Sequence, residues 1–249
     1  MTLIQRGPGG IEHADTTQEV FIGYLPIMLK SKFCLLHGLS DDELIKLGED
    51  PKDPGGYFII NGSERVLVAQ EDLAHNRILV DKTDGYLNVT HVAKVFSVRR
   101  GFRAPVLLER KKDGTLHLSI PSIPGKIPFG IMMRSLGVIT DKEIVSMVSE
   151  DPEIVRELIP SLTEASYIFD PSSKEESWKN ALDYIGKRVA VGQLREYRIE
   201  RAKQIIDYYL LPHLGITPED RKKKAQFLGL MAKRLLELVL GRRPPDDKD

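Results

Sequence analysis

Two periodicities divide the chain. Up to about Pro128, apolar residues fall in short alternating runs broken by Gly, Asn and Pro, which predicts strands and turns. Beyond it they recur at three- and four-residue spacing, which predicts helix faces. In the first part, Val20–Leu29 is an apolar, β-rich run broken by Pro26. Ser40 and Glu43 form a capping box that opens a short helix, and Gly48 closes it. Tyr57–Ile60 and Val66–Ala69 read as a hairpin around Asn61-Gly62, two residues that both tolerate positive φ. Further strands are expected over Arg77–Asp81, Thr90–Val98, Pro105–Arg110 and Thr115–Ile120, the last two joined at Asp113-Gly114. Helices are expected over Phe129–Leu136, Glu143–Val148 (capped by Thr140), Glu153–Ile159 behind Pro152, Glu175–Gly186 and Leu194–Leu211. A last helix runs from Thr217-Pro218 to Leu240. Strands first and helices later predict an α+β fold with antiparallel strands and hairpins in the first half and helices in the second.

Composition narrows the function. Lys+Arg and Asp+Glu both number 36, so the net charge is zero, whereas a free-standing nucleic-acid binder is usually basic. Any contact with nucleic acid must come from local patches. The single cysteine, Cys34, sits among Phe33, Leu35 and Leu36 and reads as a small buried side chain in a reducing compartment. With His37 it makes one pair of metal ligands. No second Cys/His pair completes a zinc set. No window approaches the apolar length of a membrane span, so none is predicted. Glycine-rich phosphate loops, His-Glu-x-x-His and Gly-x-Ser-x-Gly are absent, which leaves no sequence signature of an enzyme. Asp41-Asp42 reads as a helix-start pair facing the macrodipole rather than as a catalytic pair.

One segment is locally basic. Lys94, Arg99, Arg100, Arg103, Arg110, Lys111 and Lys112 face a single acid, Glu109, with Phe96 and Phe102 between them. The residues fit a surface that tracks a phosphate backbone. They equally fit a hairpin edge protected by charge. Arg221 to Lys224 follow Glu219 and Asp220 and read as a solvated helix face. Lys30, Lys32, Arg65 and Gln70 project from strands or their ends, where side chains can meet phosphates.

Here a resemblance enters. Ile22–Cys34, containing Gly-Tyr-Leu-Pro-Ile-Met-Leu-Lys-Ser-Lys-Phe, and then Gly55–Glu71, containing Gly-Tyr-Phe-Ile-Ile-Asn-Gly-Ser-Glu-Arg-Val, are similar to the second-largest subunit of archaeal and eukaryotic RNA polymerases. Ile120–Pro128, Arg134–Ile139, Ala181–Arg188, Leu211–Leu214 and Lys223–Leu236 continue the likeness, and Arg242–Asp249 resembles the start of a motif that is cut here. The resemblance implies part of a protrusion domain over 1–72, a lobe over 73–245, and over 246–249 a truncated link to the following domain. It implies one wall of the DNA channel and a docking surface for transcription factors. Arg65 and Gln70 would face the RNA–DNA hybrid and upstream DNA. Candidate nucleic-acid contacts are Lys30, Lys32, Arg65, Gln70, Arg99, Arg100, Arg103, Lys111 and Lys112.

The resemblance also implies that the chain is not catalytic alone and holds no cofactor, the Mg and Zn sites of the enzyme lying elsewhere. Implied partners are other polymerase subunits, above all the largest, with DNA, the hybrid and initiation or elongation factors. The location would be cytoplasmic for an archaeal parent and nuclear for a eukaryotic one. Residues 1–72, half of a domain, would leave apolar strands exposed. The alternative is a stand-alone interaction module that binds nucleic acid or protein through Lys94–Lys112.

Overall fold

The computed structural model describes residues 4–6, 12–14, 19–83 and 88–246. The chain divides into two compact units, Met1–Glu71 and Asp72–Asp249.

In the first unit, β1 (Ile4–Arg6) pairs antiparallel with β2 (Glu12–Ala14). Helix α1 (Asp41–Lys46) starts at the expected box: the Ser40 N–H and hydroxyl both donate to the Glu43 carboxylate at 2.8 Å. The hairpin forms, with a shorter return than its sequence suggests. β3 (Phe58–Ile60) pairs with β4 (Ser63–Arg65), Ile60 opposite Ser63. A two-residue loop resumes pairing at once, so the return strand is Ser63–Arg65 and not Val66–Ala69. Residues 66–70 carry no regular structure and are exposed. Val20, Phe21, Ile22, Tyr24, Leu25 and Val66–Val68 are exposed as well, and Leu44 is the buried apolar residue among the described positions of this unit.

The second unit holds a five-stranded antiparallel sheet among its described residues, in the order β5 (Leu79–Lys82), β6 (Val89–Arg99), β7 (Phe102–Lys111), β8 (Leu116–Ser119) and β9 (Ile127–Pro128). The β6–β7 hairpin is longer than its apolar run, because Arg99 pairs with Phe102 across a two-residue turn. Arg100 and Gly101 both take positive φ there, 46° and 81°. Helices follow: α2 (Phe129–Ser135), α3 (Asp141–Val148), α4 (Pro152–Glu164), α5 (Lys174–Val189), α6 (Arg195–Tyr209) and α7 (Arg221–Val239). Thr140 and Glu143 close their capping box on α3. α4 runs on beyond Ile159, the expected end, through Pro160 to Glu164. The residue after Pro160, Ser161, accepts the Leu116 N–H at 2.8 Å and ties the helix to β8. The α+β class is as the order of elements predicted, with α7 against β5 and β6 and α2 against β8 and β9 around one core. No described helix is long and apolar enough to cross a membrane.

Candidate functional site

The basic segment Lys94–Lys112 is the β6–β7 hairpin, and its geometry separates the predicted residues. Arg99, Arg100 and Arg103 sit at the turn. Lys111 and Lys112 sit at the other end of a ten-residue strand, roughly 30 Å away at about 3.3 Å per residue. The lysines belong with the Asp113-Gly114 turn, where the Lys112 N–H donates to the Asn88 carbonyl at 3.0 Å. Arg110, between the two groups, is engaged by Glu157 at 2.6 Å.

At the turn the three arginines differ. Arg103 stacks its guanidinium 4.3 Å from the Phe96 ring centre and pairs with Asp72 at 3.0 Å. Arg100 is exposed and has no hydrogen bond or ion pair among the described residues. Arg99 is half-buried, and its Nη1 is shut off from solvent without an acceptor. Arg99, Arg100 and Phe102 form one wall of a cavity of about 460 Å³, whose other wall is α6 with Arg201, Gln204 and Tyr208. Phe102 meets Tyr209 edge-to-face, ring centres 5.8 Å apart. These α6 residues escape a reading of the sequence that follows only apolar stripes. Their spacing of three, four and seven residues was the available signal.

Buried polar contacts tie β6 to the segment that follows α6. Ser97, on β6, bonds His213 Nδ1 at 2.8 Å, and the His213 ring packs edge-to-face on Phe227 of α7. Burial holds the His213 imidazole below its usual pKa, with Lys224 acting in the same direction. Lys224 does not belong to a solvated face. It is fully buried, and its Nζ donates to the Ile206 and Asp207 carbonyls at 3.0 and 2.6 Å near the end of α6. The reason is registry: Lys224 lies four residues before Leu228 on the buried stripe of α7. Its neighbour Arg221 makes a two-point pair with the Asp207 carboxylate at 2.7 and 2.6 Å.

Burial lowers the Lys224 pKa from 10.5 to about 8. The folded value lies below the unfolded one. Between these values the unfolded chain binds a proton that the folded chain does not, so stability should rise with pH through this window. A depression of that size corresponds to about 3 kcal/mol, and below pH 8 the burial cost is felt in full. The neutral amine still has two hydrogens for the two carbonyls. Chemical denaturation of the wild type and of Lys224→Met at pH 7.5 and 10 should show the wild type gaining on the variant by about 2–3 kcal/mol. Parallel curves would show that the folded chain holds the Lys224 proton as tightly as the unfolded chain does, and that burial does not depress its pKa.

The remaining candidates stand in the first unit. Lys30, at φ 57°, spends its ammonium on the backbone: Nζ donates to the Asp53 carbonyl and, at 3.4 Å, to that of Asp50. Lys32 is exposed. Arg65 ends β4, exposed, opposite Phe58. Gln70 is exposed but lies off the return strand, because that strand stops at Arg65. No group of three or more His, Cys, Asp or Glu side chains that could hold a metal ion occurs among the described residues.

Residues 63–249 match the family model for RNA polymerase Rpb2, domain 2. The chain is 58% identical over 232 residues to the DNA-directed RNA polymerase subunit Rpo2 of Saccharolobus solfataricus, covering 93% of this chain and 20% of that protein. It is 49% identical over 243 residues to subunit Rpo2N of Methanocaldococcus jannaschii, covering 98% and 48%. Over 253 residues it is 49% identical to Rpo2N of Halobacterium salinarum, covering 100% and 47%. The chain thus spans from a fifth to about half of the length of these relatives. The chain therefore belongs to the family of RNA polymerase Rpb2, domain 2.

Proposed function

We propose that this chain works inside a DNA-directed RNA polymerase as part of its second subunit, forming one wall of the DNA channel and a docking surface for transcription factors. The observation that carries this reading is the β6–β7 tip, where Arg99, Arg100 and Arg103 gather with Phe96 and Phe102 on a chain of zero net charge. A local basic face on a neutral body suits a wall shared with other subunits better than it suits a free binder. In this reading Lys32, Arg65 and Gln70 point toward the hybrid, while Lys30 shapes the turn beneath them. Lys111 and Lys112 form a second, separate contact. Nucleotidyl transfer, with its Mg, and the structural Zn belong to other parts of the enzyme. The exposed apolar stretch from Val20 to Leu25 and Val66 to Val68 supports burial against further polymerase sequence. For an archaeal parent, as the relatives suggest, the site of action is the cytoplasm.

The test uses reconstituted polymerase. Replacing Arg99, Arg100 and Arg103 together by Glu should reduce retention on template about tenfold at low salt, and the difference should shrink as salt rises. Circular dichroism of the isolated chain should show it folded, with a modest loss because Arg103→Glu sets a second carboxylate beside Asp72. Unchanged retention and unchanged factor binding would sink the reading. Micromolar binding of DNA by the isolated chain near physiological salt would instead favour the stand-alone module.

A further inference from the structure

The cavity between the β6–β7 turn and α6 has chemistry that a channel wall does not require. We propose that it is a binding site for a free nucleoside phosphate, the base entering against Phe102 and Tyr208 and the phosphates meeting Arg99, Arg100 and Arg201.

Four observations carry this. The volume, about 460 Å³, falls in the range of small-molecule sites, which combine apolar walls with a few convergent polar groups. The lining contains three arginines and no carboxylate. A compact polyanion would be neutralised there, whereas a long strand wants its cations spaced along a row. Arg99 Nη1 is shut away from solvent with no acceptor. A buried charged donor left unmade costs free energy, and an anion held by the part of this guanidinium that lines the cavity offsets the charge that the protein leaves unpaired. Finally, Arg100 occupies a left-handed turn position at φ 46°. Gly or Asn would hold that conformation with less strain, so the guanidinium is kept there at a cost to the backbone.

The aromatic wall completes the class of ligand. Phe102 and Tyr208 are about half exposed, at 47% and 55%, and so present ring surface to an incoming base. Gln204 accepts from Arg201 through Oε1 at 3.2 Å, which leaves its amide hydrogens to donate to a base edge. All of these residues belong to the 72–249 unit, and the inference does not depend on the reading of the chain as a channel wall.

Calorimetric titration of the 249-residue chain with ADP is the test. The expected Kd is on the order of 0.1–1 mM, typical of a few charge-assisted bonds and one stacked ring. Adenosine and inorganic phosphate, each offering half of the chemistry, should bind at least about tenfold more weakly. Arg100→Gly should weaken ADP binding about tenfold while holding or raising the melting temperature, since Gly suits the turn. Tyr208→Ala, on an exposed face, should weaken it several-fold without unfolding, and Lys112→Ala, at the far end of the hairpin, should change nothing.

Absence of saturable binding overturns the proposal. So does equal affinity for phosphate and ADP, or full affinity in both Arg100→Gly and Tyr208→Ala. Binding of a single-stranded oligonucleotide without ADP binding also overturns it. A failure of the channel-wall reading in reconstituted polymerase leaves the ADP titration untouched.

Discussion

Arg134→Met should destabilise the 72–249 unit by about 4 kcal/mol, lowering its melting temperature by roughly 10 °C. Arg134 is 1% exposed, yet it carries a charge into the core. Its Nε donates to the Ile139 carbonyl at 3.1 Å, its Nη1 to the Ala165 carbonyl, and its Nη2 to the Asp141 carboxylate at 2.6 Å. The Phe169 ring lies 5.5 Å from the guanidinium. One side chain thus ties α2 to the start of α3 and the end of α4. Methionine fills similar space and removes a buried charge, a gain that partly offsets the loss. The bonds decide the sign. Asp141 is half exposed and returns to water, but the Ile139 carbonyl is left without a donor and the Ala165 carbonyl keeps only the long Ile168 N–H bond of 3.4 Å, each loss costing about 1–3 kcal/mol. Arg134→Lys should recover only part, since an ammonium cannot reach three acceptors in a planar fan. Thermal denaturation of the three proteins checks this, and a methionine variant as stable as wild type would mean the core does not need the guanidinium.

The same residue shows where a sequence stops being readable. Local rules worked where the chemistry is local: Ser40 with Glu43, Thr140 with Glu143, Asn61-Gly62 and Pro152 all mark real element ends. They failed where a distant partner decides. Arg134 and Lys224 sit on buried helix faces because the carbonyls of another helix end await them, and nothing adjacent in sequence announces those acceptors. The turn at Arg100-Gly101 was hidden for a related reason. The expected strands stop at Val98 and resume at Pro105, whereas strand pairing runs to Arg99 and Phe102. Of the candidate site, the basic tip was legible. Its partner wall on α6 was not, because Arg201, Gln204 and Tyr208 are polar or exposed positions whose meaning depends on what packs opposite.

The position of that wall rests on a single hydrogen atom, and Gly186→Ala should show it. In an isolated helix the change would stabilise by up to about 1 kcal/mol, because alanine is the better helix former. Here a Cβ at Gly186 would lie 2.5 Å from the Arg198 carbonyl oxygen and 2.7 Å from its carbon. Both are backbone atoms of α6, so relief requires the helix itself to move. Moving it stretches the Arg198–Asp183 bond of 2.7 Å across the same crossing. Overpacking of this kind costs about 1–3 kcal/mol and occasionally more, so the clash outweighs the propensity and a net loss of about 2 kcal/mol is expected. Gly137→Ala is the control: φ is 94° and nothing lies within 4 Å, so it carries strain of roughly 1 kcal/mol without a clash. The two variants should also part in function. A displaced α6 takes Arg201 and Tyr208 away from Arg99 and Phe102, so Gly186→Ala should lose ADP affinity even at temperatures where it remains folded. Gly137→Ala should keep it. If Gly186→Ala binds as the wild type does, α6 has not moved and the crossing has more room than its backbone distances allow.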